Sequence, residues 1–310
     1  MTKIINKMIL FAVCGMAMSL SAKDELPGGL KRAEWMHASM SCPKCDGFYC
    51  AYFDRSIPGS CPTACPKCSG KKDEGCIYPG DLYRQAQRAL RKGNISEALA
   101  YLEKSAANGN AEAQFDLGCF HAQGEYGLKA DIKKAVYYWT LAARNNHADA
   151  QCNLGDCYMA GDGVEQNSRL AFEWWQVAAD NDHIFALYNV ANCYADGEGI
   201  PKDAAKANEL YKKLLPALVR LARYDLNAVN ALAKCYYYGL GTTKDYKKAV
   251  KFWKIAAENQ HPEGMYRYAC CCMNGEGTQK NPDVAVYFMK KAAEQQFPGA
   301  EEELKKWGQK

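Results

Sequence analysis

Two Cys-x-x-Cys pairs near the start of the chain are the residues best suited to bind a metal ion. Cys42-Pro-Lys-Cys45-Asp-Gly is followed, after a spacer, by Cys65-Pro-Lys-Cys68-Ser-Gly. Paired turns of this kind can direct four thiolates at one ion, and such sites are typical of structural zinc. We therefore expect Cys42, Cys45, Cys65 and Cys68 to bind zinc.

The remaining cysteines of this segment leave a second interpretation open. Cys50, Cys61 and Cys76 bring the number of cysteines between residues 42 and 76 to seven. In an oxidising compartment these seven could pair as disulfides and leave one thiol over. A redox-active pair is a third interpretation, although it lacks the βαβ context of a thioredoxin-like motif. The spacing favours zinc, whereas the export signal described next favours disulfides.

The first residues have the composition of an export signal. Lys3 and Lys7 precede an apolar stretch from Met8 to Met18, and small residues follow as far as Ala22. This stretch is too short to span a hydrocarbon core of ~30 Å, which argues against a membrane anchor. We expect residues 1–22 to be a cleaved signal peptide and the mature protein to be periplasmic or secreted. Lipid attachment at Cys14 is the alternative.

The overall composition favours an ordered protein that does not bind nucleic acid. The sequence motifs give no sign of catalysis. Hydrophobic residues make up 48% of the 310-residue chain, and its formal net charge is +4. Because the basic and acidic residues are mixed, the chain lacks the basic field that nucleic-acid binding needs. We find no Ser/His/Asp set, phosphate-binding glycine loop or His-x-x-x-His pair, so we expect no enzymatic activity.

From about residue 80 the sequence repeats itself. The unit 148–183 opens on Ala-Asp-Ala-Gln, continues through Leu-Gly and Cys-Tyr, and reaches Ala-Ala and a histidine at its end. The predicted units are 80–110, 111–147, 148–183, 184–225, 226–261 and 262–297, followed by a capping helix in 298–310. The unit 80–110 keeps only the second half of the pattern. Periodicity of this length is typical of a helical solenoid.

Glycine, aspartate and asparagine divide each unit into two helices. Two glycines with one residue between them follow the first helix, and glycine adopts a positive φ at little cost. Aspartate or asparagine then accepts hydrogen bonds from the free N–H groups at the start of the second helix. The glycines that end the first helices are Gly161, Gly197, Gly239 and Gly275, and the expected caps are Asp131, Asn167, Asp203, Asp245 and Asn281.

Large side chains of the second helices are expected to form the core, since stacked repeats can bury a face that one helix pair cannot. One column is Trp139, Trp175, Tyr211, Trp253 and Met289, and its neighbour is Tyr138, Trp174, Leu210, Phe252 and Phe288. In the unit 184–225, Leu214-Leu215 replaces the Ala-Ala pair and Pro216 follows. We expect the second helix to break or kink at this proline.

Two columns of polar or reactive residues are interpreted as structural. The histidines are His147, His183 and His261, and the cysteines are Cys157, Cys193, Cys235 and Cys271. Successive repeats lie ~10 Å apart, too far for two imidazoles to share one ion or for a disulfide to close. We expect the histidines to lie at the ends of the second helices and the thiols to be buried as small hydrophobic groups.

The repeat pattern resembles the Sel-one-like repeat, a relative of the tetratricopeptide repeat. The resemblance implies an all-α, right-handed superhelical solenoid of helix-turn-helix repeats whose concave face binds other proteins. The cysteine-rich segment 23–79 resembles a zinc ribbon or the centres of J-protein zinc domains. With only two cysteine pairs it does not imply chaperone activity, although a zinc-dependent redox or chaperone-like protein stays an alternative. Some family relatives are linked to β-lactam binding, but the Ser-x-x-Lys stretches at 41–44 and 69–72 lack the companion motifs.

If the first helices line the concave face, short polar residues around the Leu-Gly pair should project from it. One row is Asp116, Asn153, Asn189 and Arg267, and the other is Asp156, Asn192 and Lys234. Mixed donors and acceptors of this kind suit recognition of a peptide or protein segment, and simple solvation is the alternative. The sequence therefore predicts an exported, non-enzymatic protein–protein interaction scaffold with a zinc or disulfide module at its N-terminal end.

Overall fold

The computed structural model describes residues 79–308 and, further towards the N-terminus, the backbone of residues 25–26 and 30–31. Strands β1 (Glu25–Leu26) and β2 (Leu30–Lys31) form an antiparallel pair. The predicted signal peptide and the cysteines Cys42, Cys45, Cys65 and Cys68 lie outside the described residues.

Between residues 79 and 308 every regular element is a helix. The helices are α1 (Pro79–Arg91), α2 (Ile95–Ala107), α3 (Ala111–Gln123), α4 (Ile132–Arg144), α5 (Ala148–Ala160), α6 (Ser168–Asp180), α7 (Ile184–Asp196), α8 (Ala204–Leu221), α9 (Leu226–Tyr238), α10 (Tyr246–Glu258), α11 (Pro262–Asn274), α12 (Pro282–Glu294) and α13 (Ala300–Gly308). We call α3, α5, α7, α9 and α11 the first helices, and α4, α6, α8, α10 and α12 the second helices. The helices fall into two compact units, one ending at Lys202 and the other beginning at Asp203.

Within each unit, consecutive helices pack against one another, so that every second helix also contacts the first helix that follows it. This is the expected arrangement of a solenoid, in which each repeat completes the core of its neighbour. The all-helical solenoid of helix-turn-helix repeats is therefore confirmed.

The predicted glycine and cap positions are confirmed as helix boundaries. Each first helix ends at a glycine in the left-handed conformation, namely Gly124, Gly161, Gly197, Gly239 and Gly275. Each second helix begins after an aspartate or asparagine whose side chain accepts a hydrogen bond from the third helical amide. Local sequence thus sets where the helices start and stop, as helix-capping chemistry requires.

The second glycine of each loop has a packing role that the sequence did not reveal. Gly199 has φ +75°, and its α-carbon lies against the backbone of Ser168 at the start of α6. Gly163, Gly241 and Gly277 approach the second helix of the preceding repeat in the same way. A side chain at these positions would meet backbone atoms, so the glycines let neighbouring repeats come close as well as allowing the turn.

The second-helix column expected in the core is buried in all five repeats. Trp139, Trp175, Tyr211, Trp253 and Met289 are each at most 6% exposed. Of the neighbouring column, Trp174 is buried and the other four side chains are partly exposed. The interpretation of the aromatic stripe as core is confirmed for the first of these columns.

The glycine of the Leu-Gly pair makes room for a tryptophan. A β-carbon at Gly155 would collide with the indole of Trp175, and one at Gly118 would collide with that of Trp139. The small residue on the first helix therefore lets the indole of the second helix lie directly on the helix backbone.

The predicted break at Pro216 is wrong, whereas the alternative of a kink there stays a prediction. Helix α8 runs without interruption from Ala204 to Leu221 and is 18 residues long, against 13 for the other second helices. Leu214 and Leu218 are buried on either side of the proline, whereas Pro216 itself is exposed. Because the proline lies on the outer side, the carbonyl that loses its amide partner can be solvated by water while the leucines keep the helix packed.

Candidate functional site on the first helices

The histidine column lies at helix ends, as expected, but each histidine stands at the start of the next first helix and not at the end of the second helix before it. His147, His183 and His261 are the N-caps of α5, α7 and α11. In each case the imidazole Nδ1 accepts a hydrogen bond from a backbone amide, at 3.4 Å from Ala150 and 3.0 Å from Ala186 and Gly264. Asn110 and Asp225 occupy the same position before α3 and α9.

The same imidazoles connect each repeat to the one before it. Because Nδ1 accepts, the ring proton of the neutral imidazole lies on Nε2, which can donate. In this way Nε2 of His147 lies 3.4 Å from Glu112, and Nε2 of His183 lies 3.3 Å from Asp149. Nε2 of His261 lies 3.2 Å from Asn227. The hydrogen bond from His147 holds the pKa of Glu112 below its usual value.

Glutamine in the Ala-x-Ala-Gln motif proves to be part of the framework. Gln151 is fully buried, its amide nitrogen donates to the carbonyl of Ala143 at 3.1 Å, and its oxygen accepts from Asn181 at 2.9 Å. Gln114 makes the equivalent bonds one repeat earlier. These bonds satisfy backbone carbonyls at the ends of α2 and α4, which explains why the motif needs an amide side chain.

Asp116, in the first predicted row, accepts hydrogen bonds from two neutral side chains on α1. Its carboxylate lies 2.9 Å from the hydroxyl of Tyr83 and 3.1 Å from the amide nitrogen of Gln87. Burial disfavours the charged form and raises the pKa of Asp116 to about 6. Both of these hydrogen-bond donors are thus neutral.

Asp156 and Asn189 bring the two predicted rows together. The carboxylate of Asp156 on α5 accepts from the indole nitrogen of Trp175 at 3.0 Å and from the amide of Asn189 on α7 at 3.2 Å. Asp156 is exposed to solvent, yet the surrounding protein raises its pKa to about 6 by desolvation. Asn153 and Asn192 are half-buried on the same two helices.

Lys234 and Arg267, the predicted residues of the unit from 203 onwards, meet at a carboxylate that sequence reasoning missed. Glu263 lies 2.7 Å from the ammonium of Lys234 and 3.4 Å from Nε of Arg267. It also accepts from Asn230 at 2.8 Å, and Asn230 in turn accepts from the indole of Trp253 at 3.0 Å. Burial opposes ionisation of Glu263, but Lys234 and these hydrogen bonds hold its pKa below the usual value.

A signal for Glu263 was present in the sequence. It is the second residue of its first helix, the position that Glu112 and Asp149 occupy in α3 and α5. In each of these three places the residue contacts a polar side chain on a neighbouring first helix or its N-cap. The seven predicted residues thus differ in charge along the chain. Those on α3, α5 and α7 are aspartates and asparagines, whereas the two on α9 and α11 are a lysine and an arginine.

Thiols of the first helices are packed rather than poised for reaction. Cys157, Cys193, Cys235 and Cys271 are buried and unpaired, as expected. Burial raises the pKa of Cys193 to about 11 and that of the other three to about 12, so all four are protonated at neutral pH. Within residues 80–308, no cluster of histidine, cysteine, aspartate or glutamate has the arrangement of a metal site.

Among the helices between residues 79 and 308, none combines the length and apolar character needed to cross a membrane.

Comparison with known proteins identifies the repeat. The Sel1 repeat model matches residues 80–110, 111–147, 148–183, 184–214, 226–261 and 262–297. The crystal structure of a Sel1 repeat protein from Oxalobacter formigenes is 25% identical with a TM-score of 0.54, and the match covers 72% of this chain and 86% of that one. A protective antigen of uropathogenic Escherichia coli with an SLR fold is 26% identical with a TM-score of 0.47, over 73% of this chain and 48% of that one.

Among curated proteins, none matches the chain significantly. The repeat model, however, accounts for more than half of the sequence, and each match corresponds to one helix pair except that the match to 184–214 ends within α8. This chain belongs to the Sel1 repeat family.

Proposed function

We propose that this protein is an exported, non-enzymatic scaffold that binds a peptide or protein segment with the face formed by its first helices. The observation that carries the proposal is the pair Asp156–Asn189. Its members come from successive first helices, they lie 3.2 Å apart, and the carboxylate stays open to solvent although protein surrounds it. An accessible acceptor within a partly desolvated surface suits recognition of a donor on another chain. Membership of the Sel1 repeat family also favours protein partners.

We take the first helices to line the concave side of each compact unit, with Asp116, Asn153 and Asn192 as further contacts before Lys202 and with Lys234 and Arg267 as contacts after Asp203. Each of these five side chains is neither fully buried nor part of the aromatic core. Rigid helices hold them in place, so a partner would meet positioned polar groups at little entropic cost. A peptide laid across several repeats would use a few such contacts in each.

Partner capture tests the proposal with a matched pair of variants. Asp156→Ala combined with Asn189→Ala removes a carboxylate and an amide from the first-helix face. Gln176→Ala combined with Asp180→Ala removes the same groups, hydrogen-bonded at 2.9 Å, from the exposed side of α6. We expect the first pair to reduce recovery of partners from a host lysate by about tenfold, as loss of one charged contact can do, and the second to leave it unchanged. Equal effects of the two pairs would contradict the proposed face.

Zinc binding by Cys42, Cys45, Cys65 and Cys68 and export after cleavage of residues 1–22 remain proposals that rest on the sequence. We expect the mature protein from its host to contain about one zinc ion, held tetrahedrally by four thiolates. Cys42→Ser combined with Cys65→Ser should lose the metal, whereas Cys270→Ser should retain it. Metal analysis together with thiol counting decides the matter, since blocked thiols without metal would establish the disulfide alternative.

A further inference from the structure

Two cations share one carboxylate on the first-helix face of the unit from residue 203 onwards. Lys234 and Arg267 both contact Oε1 of Glu263, and within the described residues it is the carboxylate that each of them pairs with. Two positive charges are therefore paired with one carboxylate, which leaves an excess of one positive charge within this group of three side chains. Elsewhere α9 and α11 carry no further lysine, arginine, aspartate or glutamate.

The excess charge comes with unused hydrogen-bond donors. Arg267 contacts Glu263 through Nε at 3.4 Å and approaches the hydroxyl of Tyr238 through Nη1 at 3.4 Å. A guanidinium has five N–H groups arranged to bind a carboxylate with two parallel bonds, and an ammonium has three. The side chains of Lys234 and Arg267 are 23% and 35% exposed, so a ligand can reach both.

The neighbouring aromatic groups add a polar rim and an apolar wall. Tyr238 is 44% exposed at the end of α9, and the ring of Tyr266 lies 5.8 Å from the guanidinium carbon of Arg267. Arginine held over a ring keeps its plane fixed, which reduces the entropy lost when it binds a ligand. The side chain of Glu263 is only 16% exposed, so it contacts both cations from their buried side and holds them in position.

We infer that Lys234, Arg267 and the hydroxyl of Tyr238 form a binding site for a carboxylate of an acidic peptide segment. The inference rests on the proposed function and specifies the chemistry of the partner that this part of the molecule accepts. Arg267 supplies the planar pair of donors, Lys234 supplies a second charge, and Tyr238 supplies a neutral donor. Glu263 positions the two cations and competes with the ligand for them.

The size of the charge excess favours a peptide carboxylate over a nucleic acid. Binding of a phosphate backbone needs several cations along a stripe, because each contacted phosphate is neutralised separately. One excess positive charge with two directed donor groups matches a single side-chain carboxylate or a chain terminus. The specificity of the site would then lie in the residues that flank this carboxylate in the partner.

A direct binding measurement with the full mature chain tests the site. The probe is a fluorescently labelled peptide of alternating glutamate and serine, and the reference is a lysine–serine peptide of equal length. Lys234→Gln combined with Arg267→Gln removes two charges from the site, and Lys247→Gln combined with Lys251→Gln removes two from the exposed side of α10. We expect the first pair to weaken binding of the acidic probe about tenfold or more and the second to change it less than about twofold.

Glu263→Gln distinguishes ligand binding from a purely structural role of the cations. An amide oxygen at this position can still accept from Lys234 and Arg267, while the bond from Asn230 and the competing charge are lost, so we expect the acidic probe to bind about threefold tighter or better. Circular dichroism melting identifies any variant that fails to fold. Unchanged or weaker binding by a folded Glu263→Gln variant would overturn the inference.

Two further outcomes separate this inference from the proposed function. No binding of the acidic probe, while the parent protein still captures its partners through Asp156 and Asn189, would refute the carboxylate site alone. Displacement of the probe by single-stranded oligothymidylate at equal concentration of charge would refute it in favour of phosphate recognition.

Discussion

Carboxylates on the first helices differ in what the chain provides for them. Asp116 and Asp156 receive hydrogen bonds from neutral groups, and their pKa values rise to about 6 because desolvation by the surrounding protein disfavours the charge. Glu263 receives two cations, and its pKa falls. A group whose ionised form is disfavoured in the folded state lowers the stability of the protein at neutral pH. Such a cost is typical of residues kept for binding rather than for packing.

Asp156→Asn is expected to raise the melting temperature at pH 7 and to have little effect near pH 4. An unfolded aspartate titrates near 3.8, whereas the pKa of Asp156 in the folded protein is about 6. Between these values the folded protein holds a proton that the unfolded chain has lost, so stability falls as the pH rises through 6. Calorimetry of both proteins from pH 4 to pH 7 measures the difference, with Asp180→Asn as the control for loss of one charge. A difference independent of pH would contradict this account.

His261→Asn is expected to remove part of the acid sensitivity of the fold. Burial lowers the pKa of His261 from 6.5, Glu263 opposes this change and Lys234 adds to it. The unfolded imidazole therefore binds a proton more readily, and stability is lost as the pH falls below about 6.5 through the lower folded value. Asparagine keeps the cap, as Asn110 does for α3, but does not titrate.

Urea unfolding at pH 7 and pH 5 measures this effect. We expect wild type to lose more stability than His261→Asn on acidification, and His261→Ala to cost about 1 kcal/mol at pH 7 through loss of the cap. Equal losses for wild type and His261→Asn would show that this imidazole does not titrate in the range.

At the scale of the helix pair, small residues set how closely two helices pack. Gly155 on α5 lies under the indole of Trp175 on α6, and Gly118 lies under Trp139 in the same way. The close contact places the indole nitrogen of Trp175 within 3.0 Å of Asp156, so the packing of the core also positions the candidate binding residue. Core and first-helix face are thus linked by one side chain.

Gly155→Ala is expected to destabilise the protein by about 1–3 kcal/mol, because the added methyl group would collide with the indole. The higher helix propensity of alanine offsets no more than about 1 kcal/mol of this cost. Gly80→Ala on α1 is the matched control, since no atom of the described residues lies within 4 Å of a β-carbon added there and only the gain in propensity applies. Denaturant unfolding of the two variants measures both effects. Equal stability of the two would show that the indole does not lie on Gly155.

At the scale of the whole molecule, stability is distributed over contacts between neighbouring repeats. Side chains of the second-helix column fill the space between a first helix and the helices beside it. In such arrays each repeat interacts with its neighbours only, so a local defect weakens its surroundings more than distant repeats.

Trp175→Ala is expected to destabilise the fold by about 3–5 kcal/mol, as truncation of a buried aromatic side chain does. Hydrogen exchange should show loss of protection in α5 and α6 before α10 and α11, because the defect is local. Tyr137→Ala on α4, where the ring is 60% exposed, is the aromatic control and should change stability little. An unchanged melting curve for Trp175→Ala would place this indole at the surface.

The sequence by itself determined the repeat, the helix boundaries and the buried column. These features recur at the same place in every repeat and depend on short-range chemistry, such as glycine at positive φ or aspartate at a helix start. The course of α8 through Pro216 did not follow from local propensity, because burial of Leu214 and Leu218 outweighs the lost hydrogen bond.

Only the tertiary structure decided which polar side chains meet. Asp156 and Asn189 are 33 residues apart in sequence, as are Asn230 and Glu263, while His147 and Glu112 are 35 apart. Such contacts depend on the distance and rotation between neighbouring repeats, and a one-residue change in loop length would alter both. The sequence therefore indicated which first-helix residues are polar, whereas the pairing of Glu263 with Lys234 and Arg267, and of Asp156 with neutral donors, required the packed helices.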